Sequence, residues 1–395
     1  MARILISALI ARILIAALLF AVALQAQVAP RPPGAPAPTG AASAGHAPSF
    51  EQLAKRAEAA RNAERLDEAV TLYRKALGMR PEWTEGWWYL ATILYDRDNY
   101  PEARDAFRRY VALDPRSGPG QVLFGLCLFQ TGEYEMAVAA FSRADELKFG
   151  GSDQFRQIAN YHLGMTLTKL GRFEPALAVF NKFARRGIDK FEIVYASGVA
   201  ALRMPLLPSE VPEGKRELVS AVGHAAFQVG AQHTAAAEKE FRDVAAKYPN
   251  EPNVHYVFGT FLLLINNLEE GLQQLIQELR ISPDHVPCLT QIAIEYLRRG
   301  EAEKAEPYAR RCLKLDPNSF ISHSTLGRVL VELDKLDEGI KDLETARRLA
   351  PDSPQTRFAL GTAYRRIGRA DEALKEMAEF ERLKKIVDEQ KKESQ

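Results

Sequence analysis

The chain has 395 residues, 47% hydrophobic and 26% charged, which is ordinary globular usage. Its 52 Lys and Arg balance 51 Asp and Glu to a net charge of +1. That balance removes the electrostatic basis for a nucleic-acid binder or a protein held on an anionic membrane surface.

Taken in order, residues 1–26 carry Arg3 and Arg12, an apolar run over 13–24, and Leu24-Gln25-Ala26 ending in a small residue. This is the pattern of a secretory signal peptide. The run is shorter than the ~20 residues a membrane span prefers, so the expected location is the bacterial periplasm or the cell exterior. Membrane attachment is expected only through an uncleaved N-terminal segment. Residues 27–48 hold prolines at 30, 32, 33, 36, 38 and 48 among Ala, Gly and Ser, which predicts a disordered linker.

From residue 49 a period of 34 takes over. Pro81 and Pro115 are 34 apart, and Pro249, Pro283, Pro317 and Pro351 repeat the interval. A proline has no N–H to donate and pushes the preceding residue out of the α region, so each marks the end of one helix and a change of direction. Within the period, Trp87, Leu90, Ala91 and Leu94 predict a first helix, and Ala103 and Phe107 a second that ends before Pro115. The registration recurs as Leu53, Ala57, Ala69 and Tyr73; as Phe124-Gly125, Ala137 and Phe141; as Leu163-Gly164, Ala176 and Phe180; and, later, at Phe258-Gly259, Ala293, Leu326-Gly327 and Leu360-Gly361. Small residues belong where two helices cross closely, with large residues of the partner beside them. These residues resemble the tetratricopeptide repeat (TPR) family. The resemblance implies an all-α fold, a right-handed superhelical solenoid of antiparallel helix pairs, with about nine repeats and an irregular middle.

The irregularities set the expected organisation. Phe149 stands where a proline is due, and about five residues are inserted around it, since Gly125 and Gly164 are 39 apart. Pro115 to Pro249 is 134 residues, three periods plus 32. Residues 192–203 read as a helix that Pro205, Pro208 and Pro212 prevent from continuing. The expected divisions are an N-terminal stack over 49–189, an orphan helix with a proline-rich insertion over 190–217, and a C-terminal stack over 218–395. The last helix, strongly charged past Phe380, is expected to cap that stack.

No catalytic constellation is apparent. Cys127, Cys288 and Cys312 match no metal motif, although a disulfide between Cys288 and Cys312 stays open. His255 and His323 share the repeat position usually given to Trp, which points to packing rather than metal binding. Arginine pairs such as Arg185-Arg186 and Arg310-Arg311 fall near predicted helix ends, where complementing the dipole is the favoured reading over a phosphate-binding role. No cofactor is expected, and the chain is expected not to be an enzyme.

What remains is binding. The resemblance implies a concave face lined by first helices, with ligand-facing side chains at the second, fifth, ninth and twelfth positions of each repeat. Here these include Trp88, Thr92 and Tyr95; Val122, Leu126 and Phe129; Tyr161 and Met165; and Tyr256. Toward the C-terminus the lining turns basic, with Arg298, Arg328, Arg365 and Arg366. Two readings stand: these residues pack on neighbouring repeats, or they form a groove for a protein or peptide partner. The carboxylate-gripping mode of the family is not implied, because Ala54 and Glu58 occupy its fifth and ninth positions in the first repeat. The expected function is therefore an exported, non-enzymatic scaffold or adaptor. The alternative is a targeting subunit of an envelope enzyme or a polysaccharide-export complex.

Overall fold

Two kinds of punctuation divide the chain into helices. The computed structural model describes residues 48–393, so the expected signal peptide and nearly all of the expected linker lie outside the described residues. Among the described residues there are nineteen α-helices and no strand. Four antiparallel pairs come first: α1 (Phe50–Asn62) with α2 (Leu66–Met79), α3 (Thr84–Asp96) with α4 (Tyr100–Leu113), α5 (Gly118–Gln130) with α6 (Tyr134–Glu146), and α7 (Asp153–Lys169) with α8 (Phe173–Ala184). A single helix, α9 (Phe191–Ala201), follows. Then α10 (Arg216–Gly230) precedes α11 (Thr234–Lys247), and α12 (Val254–Leu264) pairs with α13 (Leu268–Ile281). The last three pairs are α14 (Val286–Arg298) with α15 (Ala302–Leu315), α16 (Phe320–Glu332) with α17 (Leu336–Leu349), and α18 (Pro354–Arg366) with α19 (Ala370–Glu393). The described residues divide into two compact units at Gly223/His224, inside α10.

The first punctuation is a left-handed residue after each first helix. Glu64, Asp98, Gly132 and Gly171 play this part in the first unit, and Gln232, Asn266, Gly300, Asp334 and Gly368 in the second, all with φ between 58° and 80°. The next amide reaches back across the last turn, as Arg65 N–H does to Ala60 O and Lys335 N–H to Leu330 O, both at 2.9 Å. This closure satisfies carbonyls that a helix end leaves open, and it turns the chain back on itself. Glycine suits the position because a Cβ is strained at positive φ. Two substitutions test this. Gly300→Ala should lose about 1 kcal/mol of stability, and Gln232→Gly should gain up to about 1 kcal/mol, both read from chemical denaturation midpoints.

The second punctuation is the proline ladder. Arg80, Asp114, Tyr248, Ser282, Asp316 and Ala350, each directly before a proline, have φ from −123° to −138° and ψ from 55° to 83°. Each lies outside the α region, as the following ring requires. Between punctuations the pairs cross as the small-residue pattern predicts. The Phe141 ring lies against Gly125, Phe180 against Gly164, Leu275 against Gly259 and Leu343 against Gly327, each sixteen residues on.

The departures have local causes. Lys148, Phe149, Gly150 and Gly151 form a left-handed turn with φ of 51°, 53°, 62° and 81°. Phe149 is buried, 2% exposed, and its backbone lies so close to Gly118 that a Cβ there would overlap it. The turn leaves α7 with 17 residues where α1, α3 and α5 have 13. Farther on, α9 ends like a first helix, with Arg203 at φ 53° and Met204 N–H bonded to Val199 O at 3.1 Å. Its second helix is missing: residues 202–215 hold only the 3-10 turns Pro208–Glu210 and Glu213–Lys215.

The charges are spent largely between repeats. Arg74 pairs with Glu102, Arg104 with Glu133, Arg242 with Glu270 and Arg310 with Glu338, each bridging consecutive second helices or the turn beyond. Arginines read chiefly as complements to helix dipoles thus also tie neighbouring repeats, as Arg311 does with Asp284 at 2.8 Å.

Candidate functional site

First helices of successive repeats touch one another within each unit: α5 meets α7 and α7 meets α9 in the first, while α14 meets α16 and α16 meets α18 in the second. Any surface shared by several repeats therefore runs along the first helices. Of the side chains expected to line it, Thr92, Tyr95, Val122, Leu126, Met165 and Tyr256 are buried, with Val122 and Leu126 at 0% and 1% exposure. They pack in the core and present no surface, which is the packing alternative of the two readings. Burial accordingly raises the Tyr95 phenol well above its usual range.

Trp88, Phe129 and Tyr161 are half-buried. Trp88 is held by Tyr110, ring centroids 5.0 Å apart, and by Phe107 at 6.0 Å. Phe129 and Tyr161 clasp the His162 ring edge-on, at 5.2 Å and 5.4 Å. His162 Nδ1 lies 2.8 Å from Ile158 O. In this apolar setting burial pushes the imidazole down to about 4, so it is neutral at physiological pH.

The basic lining of the second unit separates into two classes. Arg298 pairs with Glu295, and Arg366 with Asp334 and Val331 O. Arg365 is exposed and makes no ion pair or hydrogen bond among the described residues. Arg328 is half-buried and also makes none; burial pulls it below the usual arginine value, opposed only by Glu332 one turn along. Beside these cations in the repeat register stand two exposed apolar side chains, Ile321 and Phe358, 46% and 49% exposed. Ile321 and Arg328 occupy the second and ninth positions of α16, Phe358 and Arg365 the fifth and twelfth of α18. Ser324 of α16 and Thr356 of α18 are joined by a 3.3 Å hydrogen bond, which holds the two helices together at this level.

A polar feature escaped the sequence reading. His255 Nε2 lies 2.9 Å from Pro249 O and His323 Nε2 3.0 Å from Pro317 O, while Trp87 Nε1 donates to Pro81 O at 2.7 Å and the Arg357 guanidinium to Pro351 O. On the other side His255 Nδ1 meets Gln274 Oε1, His323 Nδ1 meets Asp342 Oδ1, and Arg357 pairs with Glu376, always nineteen residues on. The two histidines are thus struts within a repeat, where packing alone was expected. Reading columns 19 apart along the 34-residue register would have found the pairs. Cys127, Cys288 and Cys312 are all free and buried, so the Cys288–Cys312 disulfide that stayed open is not formed in this structure. No group of metal-binding side chains occurs among the described residues.

Sequence profiles described as tetratricopeptide repeat match residues 54–118 and 324–384 in one form, and 120–149, 158–185 and 286–319 in another. These segments together make up more than half of the chain. Human DnaJ homolog subfamily C member 7 is 23% identical over 299 residues, 72% of this chain and 56% of its own length. Anaphase-promoting complex subunit 3 of Schizosaccharomyces pombe is 26% identical over 151 residues, 37% of this chain and 23% of its own. This chain therefore spans about half or less of the length of these curated relatives. Among solved structures, a MamA variant superposes with a TM-score of 0.40 at 16% identity, over 44% of this chain and 97% of its own. YrrB, described as a TPR protein with an unusual peptide-binding site, superposes with a TM-score of 0.38 at 14% identity, over 43% and 90%. The 34-residue register, the small-against-large helix crossings and the profile matches agree, and the chain belongs to the tetratricopeptide repeat family.

Proposed function

We propose that this chain is an exported, non-enzymatic scaffold that holds a protein partner along the first helices of its second unit. Arg328 carries the reading. A guanidinium partly withdrawn from water and without an ion pair among the described residues gains from a partner's carboxylate, which supplies charge-assisted hydrogen bonds. With Arg365, Ile321 and Phe358 at the other ligand-facing register positions of α16 and α18, the matching partner segment is acidic with apolar anchors. Exposed aromatic and aliphatic side chains supply contact area, and the arginines supply specificity and steering. Export rests on the signal pattern of residues 1–26. It is tested by comparing the N-terminus of the mature protein with that of the translated chain; a retained Met1 in a cytoplasmic fraction overturns it.

The binding reading is tested with a peptide array that varies acidic against basic residues around a fixed apolar pair. Acidic peptides should bind and weaken as salt rises, and Arg328→Gln or Arg365→Gln should each cost about tenfold in affinity, about 1.4 kcal/mol. Equal binding of acidic and basic peptides, or variants that bind like the parent, would sink it.

A further inference from the structure

The first unit contains a cavity of about 160 Å3 between α7 and α8, lined by Arg156, Gln157, Asn160, Lys182, Phe183 and Arg186. A single water needs only ~15 Å3 on this measure, so there is room for a polyatomic ligand. Its origin is legible in the repeat. Asn160 occupies the position held elsewhere by Trp87, His255, His323 and Arg357, long side chains that reach the carbonyl of the proline opening their repeat. In this repeat the proline is replaced by Phe149, and Asn160 is too short to span the gap. The residue nineteen positions on is Val179, which offers no polar partner. Asn160 is only 5% exposed, and its amide makes no hydrogen bond among the described residues. The amide is not among the fully buried groups that lack a partner, so it meets solvent in the cavity it lines and keeps its donors for a ligand there.

The charge around it is positive. Arg156 and Arg186 share a single carboxylate, Asp153, at 3.0 Å and 2.9 Å, and Lys182 stands 3.6 Å from Asp145. Three cations against two carboxylates leave one positive charge in excess. Each guanidinium also keeps donors in hand, because Arg156 uses only Nη1 and Arg186 only Nη2 on Asp153. Asp153 and Arg156 belong to the first turn of α7, the turn by which that helix outruns α1, α3 and α5. The insertion at 148–151 therefore both displaces the proline and brings these charges to the cavity.

We infer that the cavity between α7 and α8 is an oxyanion site that takes a phosphoryl group, bound by Arg156, Lys182 and Arg186 and oriented by the Asn160 amide. Separated cationic forks and a neutral amide donor suit the several acceptor oxygens of a phosphate better than the two of a carboxylate. The phosphoryl group can arrive as the free ion or on a phosphorylated side chain.

Isothermal titration of the full-length protein at constant ionic strength, with inorganic phosphate, O-phosphoserine and acetate, tests the site. The expected result is saturable one-site binding of phosphate or O-phosphoserine, with acetate at least about tenfold weaker. Tighter binding of O-phosphoserine marks a phosphorylated residue as the source, and tighter binding of phosphate marks the free ion. Asn160→Leu replaces the amide with an apolar group of nearly the same shape, and Arg186→Gln removes a charge from an exposed helix end without touching the core. Each should weaken phosphoryl binding by about tenfold or more while the thermal midpoint is kept. Absence of saturation by both phosphoryl compounds, equal binding of acetate, or unchanged affinity in both variants would overturn the assignment.

Discussion

Gly198→Val should destabilise the protein by about 3 kcal/mol or more, the largest effect expected of any single substitution proposed for this chain. Gly198 lies in α9 and Gly223 in α10, and here the helices meet backbone to backbone. A Cβ on Gly198 would overlap Val219 O, and one on Gly223 would overlap Val194 O. Flexible side chains can move aside, but a carbonyl inside a helix cannot do so without breaking its own hydrogen bond. The missing second helix explains why the contact is so close. Residues 202–215 hold only two 3-10 turns, so α9 has no second helix of its own, and its Gly198 face packs directly on Val219 and Gly223 of α10. Urea denaturation of Gly198→Val and Gly214→Ala is the measurement. Gly214 has nothing within 4 Å of an added Cβ and should be close to neutral. A Gly198→Val midpoint within error of the parent would show that the helices separate freely.

The second large effect is a dependence on acid. Because folding keeps His162 neutral, stability is expected to fall by about 2 kcal/mol between neutral pH and pH 5 on account of this residue. The sign follows from linkage. Its folded pKa, about 4, lies below the value of 6.5 that applies when the chain is unfolded. Above pH 6.5 both states hold a neutral ring and the group has no effect on the balance. Between 6.5 and 4 the unfolded chain takes up a proton that the folded chain refuses, so stability falls with pH through that window. The groups facing the ring are Phe129, Phe141 and Tyr161, with Ile158 O on Nδ1, and none of them supplies a compensating negative charge. In His162→Gln the stability difference between pH 7.5 and pH 5 should shrink by about that amount. An unchanged difference would mean that water reaches the ring and charges it in the folded state.

The first of these effects sits where the repeat departs from its own rule, and this bears on how far the sequence could be read. The helix pairs, their turns and the crossings at Gly125, Gly164, Gly259 and Gly327 were legible because each depends on residues within one period. A proline that cannot donate, and a small residue facing a large one sixteen positions on, act locally whatever the rest of the chain does. The ligand-facing assignments were different in kind. Trp88, Thr92 and Tyr95 share one helix, yet Thr92 and Tyr95 are buried and Trp88 only half so. Exposure there depends on how tightly the next first helix nests, a property of several side chains on different repeats.

The amino-acid sequence by itself determined the repeat length, the all-α pairing and the positions of the breaks at Phe149 and Pro205, because steric and hydrogen-bonding limits on single residues set them. Only the tertiary structure decided which first-helix side chains reach solvent and which cations lack partners. It alone showed Arg298 and Arg366 in ion pairs while Arg328 makes none among the described residues, since ion pairs form between residues that folding brings together. The same holds for the Asn160 cavity. A short amide at a long-residue position is visible in the sequence, but the space around it exists only because a left-handed turn adds a turn to α7 and carries Arg156 to its rim.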